Sequence, residues 1–225
     1  MAFIHSPKVV TDGLVLYLDA ANKNSYRGTG TNWYDLTGTD NIGTLTNGPT
    51  FNNNNGGSIV FDGVDDYTIL NSSITLGNTF TINTFVKLTN NNSDTSIVGT
   101  NANGSDNWFG INSNKIYAFY TQIADVNNTA ILGATLLSYN IWYYLSMIVN
   151  GSTATIYLNG VSDGTRTESF TIGSWNGNYA VGRRSSDVAQ RYFYGNVANV
   201  SLYNRALTAT EVLRNYNATK TRFGL

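Results

Sequence analysis

The sequence predicts an all-β fold: a two-sheet antiparallel sandwich with one short C-terminal helix. Three observations carry this. From Ile141 to Gly160, an aromatic and β-branched run meets Asn150-Gly151 and a second run meets Asn159-Gly160, a strong hairpin signal. Many further short β-prone runs follow one another at near-regular spacing, separated by Asn- and Gly-rich turns and without helical periodicity between them. Finally, Thr208 stands three residues before Glu211, a capping box that opens one helix over about Ala209 to Tyr216.

The hairpin is expected at the centre. Its first strand is apolar on both parities, with Tyr143, Leu145, Met147 and Val149 on one side and Trp142, Tyr144 and Ile148 on the other. A strand greasy on both faces sits inside a sheet with material over each side. Before it, Leu14 to Asp19 reads as the opening strand, and Ala20 to Asn55 as long connections. Ser58 to Phe61 and Tyr67 to Leu70 flank the Asp62 to Asp66 turn. Phe80 to Leu88 alternates, with Phe80, Ile82, Val86 and Leu88 on one face. Its other face (Thr81, Asn83, Phe85, Lys87) is mixed and expected to be partly wet. Strands are also expected at Thr95 to Gly99, Asn107 to Ile111, Lys115 to Thr121 and Ala130 to Leu137. After the hairpin come Val161 to Phe170, Tyr179 to Arg183 and Tyr192 to Tyr203. In the helix, Val212, Leu213 and Tyr216 form a stripe for docking. The chain divides into an N-terminal arm (1–12), the sandwich (13–219) and a C-terminal tail (220–225) free to reach a neighbour.

Composition narrows the function classes. Of 225 residues 12% are charged, and the net charge is −1. Such a surface offers no footprint for nucleic acid and no polybasic patch for a membrane. Asn alone supplies 32 residues, so amides rather than charges solvate the surface. Cysteine is absent, and a chain this long can stand on its core alone. No apolar run approaches spanning length. The opening MAFIHSPKVV lacks the charged and apolar regions of a signal peptide.

Several stretches resemble the laminin-G-like branch of the concanavalin A-like lectin/glucanase superfamily. Besides the hairpin, Phe61 to Tyr67 (FDGVDDY) is similar to that family's F-D-G-x-D-D-Y. Phe80 to Lys87 (FTINTFVK) is similar to its F-T-I-x-x-W-V-K, with Phe85 where Trp is usual. Gly195 to Leu207, followed by Thr208 and Glu211, resembles its closing strand and helix. The resemblance implies a concanavalin A-like jelly roll. It leaves function open, because the family hosts lectins, enzymes, adhesion modules and virion proteins. The runs GLVLYLDAANKNSY, WYDLTG and GTLTNGPTF look most like modules of tailed-bacteriophage virion proteins. That likeness implies a structural, attachment or decoration protein, assembled in the bacterial host cytoplasm and localised to the virion. Its partners would be other virion proteins or copies of itself, as a homo-oligomer or in multiple copies, and cell-surface glycan. A free lectin is the alternative.

The chemistry-bearing residues point away from catalysis. Glycoside cleavage needs two opposed carboxylates, and the family's glucanases carry E-x-D-x-E. Here Glu168 and Glu211 are the two glutamates, neither in such a pattern, and His5 is the sole histidine. Ser-His-Asp, Cys-His and histidine-zinc constellations are therefore unsupported. Asp62, Asp65 and Asp66 form the acidic cluster that calcium would use. The favoured reading is that Asp62 serves the turn amides, and chelation by both Asp65 and Asp66 is disfavoured on extended backbone. Glycan binding would need an exposed aromatic beside amides or carboxylates. Asp106-Asn107-Trp108 and Trp175-Asn176-Gly177-Asn178 fit by composition, although burial is the commoner fate of a tryptophan. Arg183-Arg184 and Arg191 read as a solvated face or subunit contact.

Overall fold

Why the chain closes into a sandwich follows from its alternating runs, seen in a computed structural model. It describes residues 7–90, 94–102, 105–121, 128–185 and 191–225. The strands are β1 (Leu14–Asp19), β2 (Asn32–Tyr34), β3 (Ile42–Thr46), β4 (Thr50–Asn52), β5 (Ser58–Asp62), β6 (Tyr67–Ile74), β7 (Thr79–Leu88) and β8 (Asp94–Ala102). They continue as β9 (Ser105–Asn112), β10 (Lys115–Thr121), β11 (Asn128–Leu132), β12 (Trp142–Asn150), β13 (Thr153–Leu158), β14 (Val161–Thr167), β15 (Gly177–Val181) and β16 (Tyr194–Tyr203). Helix α1 (Ala209–Thr219) and a 3-10 turn (Lys220–Phe223) close the chain.

Two eight-stranded antiparallel sheets result. One has the order β14-β13-β12-β7-β16-β5-β4, with β1 also paired to β16. The other runs β11-β10-β9-β8-β15-β6-β3-β2. The predicted architecture is therefore the observed one. The β12–β13 hairpin sits inside the first sheet, in register from Leu145↔Leu158 to Asn150↔Thr153. At the next connection Asn159 and Gly160 both adopt positive φ (51° and 82°), the backbone of a tight two-residue turn. Between the sheets lies the main core, including Phe80, Ile82, Leu145, Met147, Val149, Phe109, Tyr179 and Trp175.

The outer face of β12 is just as apolar, and α1 with the closing turn covers it. Phe85, Trp142, Tyr144, Ile148, Val212 and Phe223 form this second cluster. Phe223 stacks on Phe85 at 4.5 Å between centroids and lies 4.5 Å from Trp142. The outer face of β7 is thereby dry over most of its length, and only Lys87, which is half-buried, keeps the partly wet character expected of it. Thr81, Asn83 and Phe85 are buried, because tertiary cover supplies partners for their polar groups. The Ser146 hydroxyl donates to Asn83 Oδ1 at 2.6 Å, while Asn83 Nδ2 donates to Ser201 Oγ at 3.2 Å. The C-terminal segment, expected to be free for a neighbour, is docked on its own sheet by Phe223. Arg222 adds an ion pair to Asp19 at 3.0 Å.

The helix docks by more than its stripe. Val212 is buried as expected, but Leu213 is 42% exposed and Asn215 is buried in its place. Asn215 Oδ1 accepts from the Val10 amide (2.7 Å), and its Nδ2 donates to the Tyr203 oxygen (3.1 Å). The Tyr203 hydroxyl in turn donates to the Val10 carbonyl (2.8 Å), closing a ring that clips the N-terminal arm to helix and sheet. The capping box is present as expected. Arg205 reinforces it, with Nη2 at 2.6 Å from Glu211 Oε1.

The stretch from Ala20 to Asn55 was expected to be connections, and it contains β2, β3 and β4. Their Asn-, Thr- and Gly-rich residues give little apolar alternation, so pairing to β6 and β5 decides their conformation. Strand β11 also ends at Leu132 rather than near Leu137. Gly133 still bonds β10 through its amide, which donates to the Ile116 carbonyl, and the next amide, of Ala134, turns instead to the Asp163 carbonyl.

Replacing buried core residues should cost heavily. Leu145→Ala is expected to lose about 2–5 kcal/mol, and Phe223→Ala about 3 kcal/mol, in chemical denaturation. An unchanged midpoint for Phe223→Ala would mean that the C-terminal turn is not part of the fold. Glu211 gives a pH signature. Bonding first from Arg205 and then from Thr208 holds its carboxyl down to about 2, against 4.5 for the free group. The folded value lies below the unfolded one, so this stability is present above about 4.5 and lost as pH falls towards about 2. Denaturation of Glu211→Gln across that window is expected to show a flatter acid dependence than wild type.

Candidate functional site

Strand β10 carries rings on both parities, and the two sets have different fates. Ile116, Ala118 and Tyr120 point into the core. Tyr117 and Phe119 point to the outer face of the second sheet, where both are half-buried. Register places Phe119 opposite Trp108 and Tyr117 opposite Gly110 on β9. The Trp108 ring packs 4.6 Å from Tyr117 and 6.2 Å from Phe119. Trp108 itself is only 2% exposed, so it backs the other two rings rather than offering a surface.

Polar groups border these rings. Arg191 lies over Trp108 with its guanidinium carbon 5.0 Å from the ring centre, and it pairs with Asp94. Both charged side chains keep about 30% of their surface exposed. Burial raises the Tyr117 pKa, Asp94 raises it further and Arg191 opposes the shift. The phenol therefore stays protonated and can donate a hydrogen bond. The result is a shallow aromatic surface edged by one carboxylate, one guanidinium and one phenol.

The sequence pointed to this strand pair through Trp108 but missed the rings that are reachable. Asn107 is buried at 1% exposure. Asp106 is placed on β9 by its backbone, and its side chain lies outside the described part. The available signal was the parity of β10, where Tyr117 and Phe119 alternate with Ile116, Ala118 and Tyr120. The second predicted set does not form a platform. Trp175 is fully buried against Phe80, 5.2 Å between centroids. Asn176 Oδ1 accepts from the amides of Leu76 and Gly77 at 3.0 and 2.9 Å, tying the β6–β7 turn. Asn178 is exposed and accepts from the Ser73 hydroxyl across to β6. Arg183 is neither solvated nor at a free surface: it is 8% exposed, with its guanidinium 3.8 Å from the Tyr67 ring centre.

At the other candidate, Asp62 does serve its turn. Its Oδ1 accepts from the amides of Val64, Asp65 and Asp66 at 2.8, 3.3 and 3.4 Å. The Val64 bond comes first among the causes that hold its pKa below the usual carboxylate value. Burial raises that of Asp66, whose Oδ2 accepts from the Asp62 amide at 3.0 Å. Because the turn is not extended, all three residues bring one oxygen within 4.8 Å of the others. The expectation that Asp65 and Asp66 diverge is corrected to that extent. Among the described residues no other group of His, Cys, Asp and Glu comes together this way. Asp19 and Asp35 are committed elsewhere, to Arg222 and to Thr37 and Thr39.

A sequence pattern described as the concanavalin A-like lectin/glucanases superfamily, of laminin G type, matches residues 61–213. The chain belongs to this superfamily. No curated protein matches the sequence. Among solved structures, this superfamily member is similar to domain 4 of AbnA, an extracellular arabinanase of Geobacillus stearothermophilus, solved with arabinotriose. The TM-score is 0.67 at 17% identity, over 90% of this chain and 98% of that one. It is also similar to the binding domain of Paraclostridial Mosquitocidal Protein 1, with TM-score 0.69 and 16% identity over 92% of this chain and 52% of that one. A botulinum neurotoxin serotype D binding domain in complex with N-acetylneuraminic acid gives 0.69 and 14% identity over 91% and 50%. The chain thus spans about half the length of the toxin domains it matches. Among the described residues no helix is long and apolar enough to cross a membrane.

With Asp62 bound to its own turn amides, a chelator is expected to leave the melting temperature almost unchanged. A fall of many degrees on chelation, reversed by calcium and absent in Asp62→Ala, would assign the cluster to the metal instead.

Proposed function

We propose that this superfamily member is a non-catalytic attachment module that binds carbohydrate on the outer face of its second sheet. The carrying observation is the pair of half-exposed rings, Tyr117 and Phe119, backed by Trp108 and edged by Asp94 and Arg191. Stacked rings with a few directional polar groups are the chemistry a sugar surface requires. A solved domain of the same extent, domain 4 of the arabinanase AbnA, was obtained with arabinotriose, which supports a saccharide ligand for this shape.

Both glutamates are occupied in ways that fit a binding role better than hydrolysis. Glu168 accepts from the hydroxyls of Tyr120 and Thr129 and pairs with Arg166 at 2.5 Å. Glu211 caps α1. Glycoside cleavage would instead need a carboxyl group left free to face a second one across the scissile bond.

The finer form of this reading is attachment or decoration on the virion of a tailed bacteriophage. The runs GLVLYLDAANKNSY, WYDLTG and GTLTNGPTF support it. Cryo-electron microscopy of particles would test it, through defined density for this chain. Particles without such density would leave a free lectin as the reading.

Binding itself is tested on a glycan array that includes arabinan oligosaccharides, followed by calorimetry on the strongest hit. Losing one stacked ring removes roughly 0.5–1.5 kcal/mol. Phe119→Ala and Tyr117→Ala are therefore each expected to weaken binding by up to about tenfold. Affinity unchanged in both variants would place the site elsewhere.

A further inference from the structure

We infer that Arg183 receives an acidic group on the bound saccharide, a carboxylate or a sulfate. This rests on the outer face of the second sheet being the saccharide surface, and it names the class of sugar.

Beyond β15 the chain turns back over that face. The Gly182 amide donates to the Ile97 carbonyl at 2.9 Å, and the strap then crosses above Gly99. A methyl group at Gly99 would stand 2.9 Å from the Arg184 Cα and 3.0 Å from the Arg183 carbonyl oxygen, so the crossing needs glycine there. The crossing lays the Arg183 guanidinium on Tyr67, at 3.8 Å from the ring centre. Three strand spacings, about 14 Å, separate Tyr67 on β6 from Trp108 on β9. The guanidinium and the rings therefore sit on one face, on opposite sides of the strap.

The lack of a counter-charge beside Arg183, among the described residues, is what needs explaining. Arg191, Arg205 and Arg222 each hold a carboxylate. Arg183 is 8% exposed, and among the described residues no carboxylate pairs with it and its Nε has no hydrogen-bond acceptor. Cations this deep are ordinarily matched by an anion, because desolvation of an unmatched charge is costly. The Tyr67 ring covers one face of the guanidinium, and a guanidinium can make two parallel hydrogen bonds in its own plane, the geometry that carboxylate and sulfate accept. A neutral sugar offers no such partner.

The experiment compares neutral oligosaccharides with their uronate and sulfated counterparts, on an array and then by calorimetry at two ionic strengths. The folded full chain is used as wild type, Arg183→Gln, Arg183→Lys and Phe119→Ala. Wild type is expected to prefer one acidic series by at least about tenfold, with the preference shrinking as salt rises. Whichever series is preferred identifies the anion. Arg183→Gln should erase the preference and leave neutral binding unchanged, while Arg183→Lys, a point charge, should retain part of it. Should the glutamine variant fail to fold, the partial loss in the lysine variant carries the same comparison. Equal binding of neutral and acidic sugars, or a preference that survives Arg183→Gln, would overturn the inference and leave the ring surface standing. An acidic preference lost in Arg183→Gln but indifferent to Phe119→Ala would instead sink the ring surface. No binding of any series would overturn both.

Discussion

The dryness of both faces of β12 is the constraint on which the rest depends. Leu145, Met147 and Val149 fill the space between the sheets, which any sandwich strand would do. Trp142, Tyr144 and Ile148 face the other way, where an uncovered sheet would meet water. Covering them requires α1, the closing 3-10 turn and the arm around Val10. Those segments in turn need polar partners inside the cover, supplied by Asn215, Tyr203 and Asn83. The domain is thus three layers, and the arm around Val10 and the C-terminal turn belong to the packed structure.

The sheet edges are managed in the same economical way. Strands β14 and β11 are the edges on one side, and hydrogen bonds from side chain and backbone lace them together. Arg166 donates to the Ala130 carbonyl at 3.0 Å, and the Ala134 amide donates to the Asp163 carbonyl at 3.0 Å. On the other side the edge strands β2 and β4 are three residues each, and β1, paired only to β16, has its outer edge held at Tyr17 by the Asp35 carboxylate and the Leu36 amide. Short or laced edges leave little backbone for another chain to pair with. A chain of such low charge has few charged side chains to deter that pairing, so geometry takes over the task.

Much of the fold was legible because it rests on local alternation. The parities of β12 and β7, the Asn-Gly turns and the Thr208–Glu211 box each state their structure within a few residues. What escaped depends on contacts between distant segments. No local pattern marks Asn215 as a core residue, since its burial is permitted only by Val10 and Tyr203, far away in the chain. Strands β2 to β4 have too little apolar alternation to declare themselves and are drawn into the sheets by β5 and β6. The candidate site was half legible. Trp108 drew notice as a large ring beside amides, yet which rings of β9 and β10 face water is decided by the sheet, and Tyr117 and Phe119 are the ones that do. Asp62 was readable as a turn residue, whereas the convergence of Asp65 and Asp66 needed the actual path of the loop.

The ring clip at Val10 and the stacking of Phe223 put both ends of the described chain on the helix-covered side. The aromatic face with Tyr117 and Phe119 looks the opposite way. Anything joined to the C-terminal end, whether a scaffold, a neighbouring polypeptide or a fluorophore, is therefore attached behind the sandwich. Immobilised through that end, the domain presents its rings outward without further orientation, and a dense carpet of copies would turn the same face to the solution.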